Sequence, residues 1–180
     1  MIKKTFISIV IPMFNEEAIV EQSIAIITDY LKSRTDKYIW EIVLINDGSR
    51  DKTGSIADSL AKENTLLRVI HHHVNMNLGR ALQTGFKEAK GSIIVVLDLD
   101  LSYSVEHIAS LIEKQIETDA DIVIASPYMK NGKVTGVPFT RALLSRIVNI
   151  FMRFAAQEKL YTFTGMVRAY KSDFIKNLNL

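Results

Sequence analysis

A chain of 180 residues with a formal net charge of +2 and 23% charged residues supports one domain with a substantial core. That charge is too small to imply nucleic acid as a partner, and the absence of cysteine excludes disulfides and thiolate metal sites. The first apolar run breaks at Pro12, too early for a secretory leader, and no apolar run reaches the length of a membrane span.

Phe6 to Ile11 reads as a first strand, closed by Pro12. Ile19, Ser23, Ile26, Ile27, Tyr30 and Leu31 recur at helical spacing and predict a helix over Glu16 to Ser33, with Asn15 as its N-cap. Trp40 to Ile45 is a second strand running into Asn46-Asp47-Gly48-Ser49. Thr53 to Glu63 is a second helix with Ile56, Ala57, Leu60 and Ala61 facing inward, and Leu67 to His72 a third strand. Asn77 is a candidate N-cap for a helix from Leu78 to Ala89, stopped by Gly91. Ile93 to Leu97 is a strand buried on both faces that ends in Asp98-Leu99-Asp100. A helix over Val105 to Glu117, a strand over Asp121 to Ala125, a polar loop from Lys130 to Gly136 and a last helix over Thr140 to Ala156 complete the pattern.

Strands alternating with helices in this way predict an α/β fold, a mostly parallel sheet flanked by helices. Ligands in such sheets bind outside the carboxyl ends of the strands. The polar clusters fall there: Asn15-Glu16, Asn46 to Ser49, and Asp98 to Ser102. Asp98 and Asp100, two apart on an extended strand, point the same way and converge on one point. Paired carboxylates repel unless a proton or cation neutralises them, and an oxygen-only pair suits Mg2+ or Mn2+.

Asp47 at a strand end can accept from ribose hydroxyls or a nucleobase N–H, and the same turn can simply cap the next helix. Arg80 sits in the first turn of its helix, where a cation opposes the dipole, so it pairs either with a diphosphate or with a nearby Asp. His71-His72-His73 cannot all face one ion, because adjacent strand residues alternate faces; packing and exposure account for them. Leu143, Leu144, Ile147, Val148, Phe151 and Phe154 form an apolar stripe with Arg141, Arg146 and Arg153 around it. Packing on the sheet is the first reading of that helix, and a membrane surface the second.

Ile11-Pro12-Met13-Phe14-Asn15-Glu16-Glu17, Asn46-Asp47-Gly48-Ser49-Arg50-Asp51-Lys52-Thr53, Asn77-Leu78-Gly79-Arg80 and Asp98-Leu99-Asp100 together resemble family 2 glycosyltransferases. Within that family, Leu101 to Glu106, Arg141, Ser145, Asn149 and Thr162 to Arg168 resemble the polyprenyl-phosphate sugar transferases of the dolichol-phosphate mannose synthase type. The resemblance implies a GT-A, Rossmann-like nucleotide-diphospho-sugar transferase fold. It implies that Pro12, Asn15, Glu16, Asn46, Asp47, Asn77, Gly79 and Arg80 line the donor site, with Asp98 shared between donor and metal. Asp98 and Asp100 would hold Mg2+ or Mn2+ against the diphosphate, and Arg141 and Arg168 would bind phosphate, so these four form the implied catalytic set. The family's usual first Asp is Asn46 here, its Gln after the metal motif is Ser102, its Arg of the fifth strand is Pro127, and a later Asp is Thr162.

The implied reaction moves a sugar, with inversion, from a UDP- or GDP-linked donor to a dolichyl or undecaprenyl phosphate. That acceptor oxygen is already anionic, so no strong base is needed. A hydroxyl acceptor in polysaccharide synthesis would need one, for which Asp121 and Glu158 are the candidates. A nucleotide-sugar-binding fragment without turnover is the other alternative. A nucleotidyltransferase would want a Gly-rich loop that the first turn lacks. Residues 1–180 are expected to form a single catalytic domain truncated at its C-terminus, cytoplasmic at the membrane face, with peripheral membrane contact and a homo-oligomer left open.

Overall fold

The computed structural model describes residues 4–126, 139–156, 162 and 165–178, with the backbone alone at 139–143, 146, 153, 155 and 156. In chain order the elements are β1 (Thr5–Met13), α1 (Val20–Lys32), β2 (Tyr38–Asn46), α2 (Thr53–Glu63), β3 (Leu67–His71), α3 (Asn77–Glu88), β4 (Ile93–Val96), α4 (Glu106–Thr118), β5 (Ile122–Ile124), α5 (Phe139–Ala156), β6 (Arg168–Lys171) and α6 (Ser172–Lys176). The sheet order is β3-β2-β1-β4-β6-β5. β1 pairs in parallel with β2 and β4, β2 in parallel with β3, and β6 runs antiparallel to β4.

The central strands are apolar on both faces because helices cover both. Ile7, Ile9, Val10, Ile11, Ile42, Val43, Leu44, Ile45, Ile94 and Val95 have no exposed surface. Each contributes about 1.5–3 kcal/mol of burial free energy. One polar cluster crosses this core. Ser8 Oγ donates to Glu41 Oε1 at 2.6 Å, the Lys90 N–H donates to the same oxygen at 2.6 Å, and Arg68 Nε donates to Glu41 Oε2 at 3.3 Å. The buried carboxylate is therefore satisfied on both oxygens, tying β1, β2 and β3 to the segment after α3.

The order 3-2-1-4 places a topological switch between β1 and β4, where the chain leaves the sheet in opposite directions and the loops part. All four strands point their carboxyl ends to one rim.

Several elements differ from the sequence expectation. β1 runs through Pro12, which pairs in register with Ile45, and ends at Met13. α1 begins at Val20, and its cap residue is Ile19 with no side-chain cap bond. Asn15 is drawn instead into bonds with the loop after β2, as described below. On α1 the buried residues are Val20, Ser23, Ile24, Ile27, Thr28 and Leu31, while Ile26 is exposed. On α2 Ala57 is buried, with Ile56, Leu60 and Ala61 half-buried. Strand β6 and helix α6 had no sequence expectation at all.

Two compact units are present, Met1–Val123 with Val167–Leu180, and Ile124–Met166. In the second unit α5 exposes Leu144, Ile147, Val148, Phe151 and Phe154, most of the stripe expected to pack on the sheet. No helix among the described residues is long and apolar enough to cross a membrane. The expected loop from Lys130 to Gly136 lies outside the described residues.

Candidate active site

The loops after β1 and β2 are stitched together by reciprocal bonds. The Asn15 N–H donates to Ser49 Oγ at 3.0 Å, Glu16 N–H to Thr53 Oγ1 at 2.7 Å and Glu17 N–H to Asp51 Oδ2 at 3.1 Å. In return Arg50 N–H donates to Asn15 Oδ1 at 2.8 Å, and Lys52 N–H to Glu17 Oε2 at 2.8 Å. Asn15 sits at φ +55, a left-handed conformation that Asn tolerates better than most residues. This arrangement aims Glu16 toward the end of β4. Burial raises the Glu16 pKa; the Phe14 N–H counters it, and the charges of Asp100, Asp98 and Asp51 raise it further.

Asp98 lies just past β4, where the Leu97 N–H still donates to Val10 O at 3.1 Å. Asp100 is not on an extended strand, as the sequence suggested, but in a turn closed by the Leu101 N–H onto Asp98 O at 3.3 Å. Its Oδ1 accepts from the N–H and the hydroxyl of Ser102 at 2.9 and 2.6 Å. Burial, and then the Asp100 charge, push the Asp98 carboxyl up to about 6. Three carboxylates thus feel one another at the switch between β1 and β4. Among the described residues no group of three His, Cys, Asp or Glu side chains is placed to enclose a metal by itself. The half-buried Asp98 carboxylate, its pKa raised, beside the exposed carboxylate of Asp100 fits a hard divalent ion that takes its other ligands from water and a diphosphate.

Asp47 and Asn46 end β2 with different roles. Asn46 is used inside the protein at both ends: Oδ1 accepts from the Ser49 N–H at 3.2 Å, and Nδ2 donates to His71 Nδ1 at 3.0 Å. His71 Nε2 faces Asp58 Oδ1 at 3.0 Å, which makes Nε2 the protonated nitrogen. Asn46 therefore holds the turn. Asn46→Ala is expected to lower stability by about 1–3 kcal/mol in urea denaturation, because it strands the partners of a buried amide. Asp47 accepts from His72 Nδ1–H at 2.6 Å, a partner that the sequence reading passed over. The β2–β3 register sets Asn46 opposite His71, so the next residues on each strand meet beyond the sheet.

Asn77 stands at φ +70 as the first assigned residue of α3, without a side-chain cap bond. Arg80 Nη1 donates to Gln83 Oε1 at 2.8 Å rather than to an Asp. Gly79 has nothing within 4 Å of the place a Cβ would occupy, so this helix start is open. Pro12 is half-buried at the end of β1. Arg168 begins β6 opposite Val96, two residues before Asp98, and its side chain bonds Tyr170. Arg141 lies on α5, and its side chain is outside the described residues. Asp121 faces Lys171 Nζ at 3.5 Å, and Glu158 is outside the described residues.

Residues 8–178 match glycosyl transferase family 2. The chain belongs to that family. It is 37% identical over 140 residues to the dolichol-phosphate mannosyltransferase of Pyrococcus furiosus, covering 78% of this chain and 38% of that protein. It is 34% identical over 146 residues to the dolichyl-phosphate beta-glucosyltransferase ALG5A of Trichomonas vaginalis, covering 77% of this chain and 45% of that one. The chain thus spans less than half the length of these curated relatives.

Two solved structures establish the fold of this family 2 chain as GT-A. The mannosyltransferase PcManGT of Pyrobaculum calidifontis, in complex with GDP-Man and Mn2+, superposes with a TM-score of 0.68 at 21% identity, over 99% of this chain and 48% of that one. The glucosyl-3-phosphoglycerate synthase of Mycobacterium tuberculosis, with Mn2+, UDP-glucose and phosphoglyceric acid, gives 0.69 at 21% identity, over 97% and 59%.

Proposed function

We propose that this family 2 chain transfers a sugar, with inversion, from a UDP- or GDP-linked donor to a polyprenyl phosphate, using Mg2+ or Mn2+. The observation that carries the reading is the meeting of Asp98 and Asp100 at the switch between β1 and β4, where burial and mutual charge hold the Asp98 carboxyl near 6. Such a pair would bind the cation against the donor diphosphate. The cation supplies charge neutralisation for the departing nucleoside diphosphate.

The chain's own residues do the rest. The stitched loops of Asn15, Glu16, Ser49 and Thr53 form a preorganised edge on which the nucleotide rests, beside Pro12 and Asp47. Asn77, Gly79 and Arg80 present an open helix start to the phosphates, which backbone N–H groups favour. Arg168, next to the end of β4, and Arg141 are assigned to phosphate of donor or acceptor. A phosphate acceptor oxygen is already ionised at neutral pH, so it needs no dedicated base. The names of the two relatives, both dolichol-phosphate transferases, support this acceptor. The exposed Leu144, Ile147, Ile150, Phe151 and Phe154 of α5 support peripheral contact with a lipid surface, assigned to the cytoplasmic membrane face.

The test is incubation with radiolabelled UDP-glucose or GDP-mannose, Mn2+ and undecaprenyl or dolichyl phosphate in detergent. Labelled lipid phosphate with an inverted anomeric centre is the expected product. Donor binding with no labelled lipid from either polyprenyl phosphate would contradict the acceptor assignment. Gly79→Ala separates site from scaffold. It is expected to raise stability by about 0.5 kcal/mol through helix propensity and yet to weaken donor binding severalfold in calorimetry.

A further inference from the structure

His71 ends β3 in register with Asn46, and its ring is held at both nitrogens. The place of its proton follows from the backbone outward. The Ser49 N–H can only donate, so the amide atom that meets it at 3.2 Å is Asn46 Oδ1. Asn46 Nδ2 then faces His71 Nδ1 at 3.0 Å, and that nitrogen must offer a lone pair. The proton of the neutral ring sits on Nε2, which donates to Asp58 Oδ1 at 3.0 Å. Asp58 is the charged group that α2 sets against the ring, and β2 sets the uncharged Asn46 there. The first turn of α2 closes over the pair: a Cβ on Gly54 would lie 2.6 Å from Asn46 Nδ2 and 3.4 Å from His71 Cε1. Asn46 is 6% exposed, so water does not replace a lost partner.

We propose that His71 is a positioning residue whose neutral ring holds the Asn46–Ser49 turn, and that a second proton on the ring releases the turn and loosens the donor site. The inference rests on the nucleotide-sugar reading above. In the imidazolium both nitrogens donate. Nδ1–H then meets the Asn46 NH2, donor against donor. Rotating the amide moves the conflict without removing it, because the NH2 then meets the Ser49 N–H. Asp58 stabilises the charged ring but relieves neither clash. The Ser49 hydroxyl accepts the Asn15 N–H at 3.0 Å, so a loosened turn frees the loop that aims Glu16 at the end of β4. The stability contributed by the neutral ring is lost as pH falls and the ring gains its proton.

Asn46→Asp inverts the requirement. A carboxylate there accepts from both the Ser49 N–H and Nδ1–H, so the imidazolium, between two carboxylates, becomes the favoured form.

The metal-free protein is followed by 15N NMR of the ring and by hydrogen exchange of the Ser49 amide, from about pH 7.5 to about pH 5.5. At the upper pH the ring is expected to carry its proton on Nε2, with Nδ1 bare. As the ring becomes charged, protection of the Ser49 amide, corrected for intrinsic exchange, is expected to fall about tenfold, the worth of one lost hydrogen bond. His71→Asn puts an uncharged acceptor where Nδ1 stood and is expected to keep that protection throughout. Asn46→Asp is expected to carry a charged ring already at the upper pH. UDP affinity in Mn2+ reads the link to the site. Asp98 also takes up a proton, at about 6, so the measure is the affinity of His71→Asn relative to wild type, in which that loss cancels. The relative affinity is expected to rise severalfold as pH falls. A proton on Nδ1 at the upper pH, or Ser49 protection that does not follow the charge of the ring, overturns the proposal on the wild-type chain alone, whether or not the variants fold. A constant relative affinity overturns the link to the donor site. Binding of UDP by neither protein would overturn the nucleotide-sugar reading itself, a different failure, while the ring and Ser49 signals still decide the role of His71.

Discussion

Asp98→Asn is expected to abolish the metal-dependent binding of donor while stabilising the metal-free protein. Both effects come from the same carboxylate. Burial and the Asp100 charge raise its pKa from 3.8 to about 6 in the folded chain. Well below pH 3.8 the group is protonated whether folded or unfolded, and the stability linked to the raised pKa is fully present. As pH rises the unfolded chain releases the proton first, so that stability is lost progressively, until the folded carboxyl also ionises above about 6. At pH 7.5 the ionised carboxylate is a net cost of at most about 3 kcal/mol, reduced to about 1 kcal/mol by solvent screening of a half-exposed group. Asn carries no such charge. The metal-free variant should therefore melt higher than wild type at pH 7.5, and the difference should shrink as pH falls from about 6 and vanish well below 3.8. Mn2+ should raise the melting temperature of wild type and leave the variant unmoved. Sugar transfer should fall on the order of a hundred- to a thousandfold, the usual effect of losing one group that stabilises developing charge. A variant that keeps its Mn2+ response would show that Asp98 is not a ligand.

Gly48→Ala is expected to damage both stability and nucleotide binding. Gly48 has φ +69, and a Cβ there would lie 2.3 Å from the Val74 carbonyl carbon and 2.4 Å from the Asn75 nitrogen. These are backbone atoms of the segment whose Met76 N–H donates to Asp47 Oδ1 at 2.9 Å, so neither side can yield without moving that hydrogen bond. Left-handed strain and overpacking together are expected to cost about 2–4 kcal/mol in denaturation. Nucleotide affinity should fall along with stability, in contrast to Gly79→Ala, where the two move in opposite directions. An unchanged denaturation midpoint for Gly48→Ala would contradict the close approach of the two loops.

The fold was legible where local pattern and long-range packing agree. Ile9 to Ile11, Ile42 to Ile45 and Ile93 to Val96 are apolar without alternation, and they lie in the buried strands β1, β2 and β4. β6 was not legible, because Arg168 and Lys171 flank only two buried residues and the strand exists through its pairing with β4. The expectation for Asn15 followed the N-cap pattern, but the bonds to Ser49 and Arg50, more than thirty residues away in sequence, outweigh that local preference. The alternation argued for His71 to His73 treated all three as strand residues, whereas β3 ends at His71. It also hid His72, whose role depends on strand register and has no local signature. The acids of the rim were legible because parallel topology gathers strand ends. The division of labour between Asn46, bonded to Ser49 and His71, and Asp47, bonded to His72, needed the hydrogen-bond partners.

The central claim is a nucleotide-diphosphate site completed by a divalent cation at Asp98 and Asp100. Its most direct test is calorimetric titration of the wild-type chain with UDP, once with Mn2+ and once with excess chelator. Binding with Mn2+ that weakens at least tenfold in chelator is the expected result. Equal affinity in both, or no heat in either, would contradict the site.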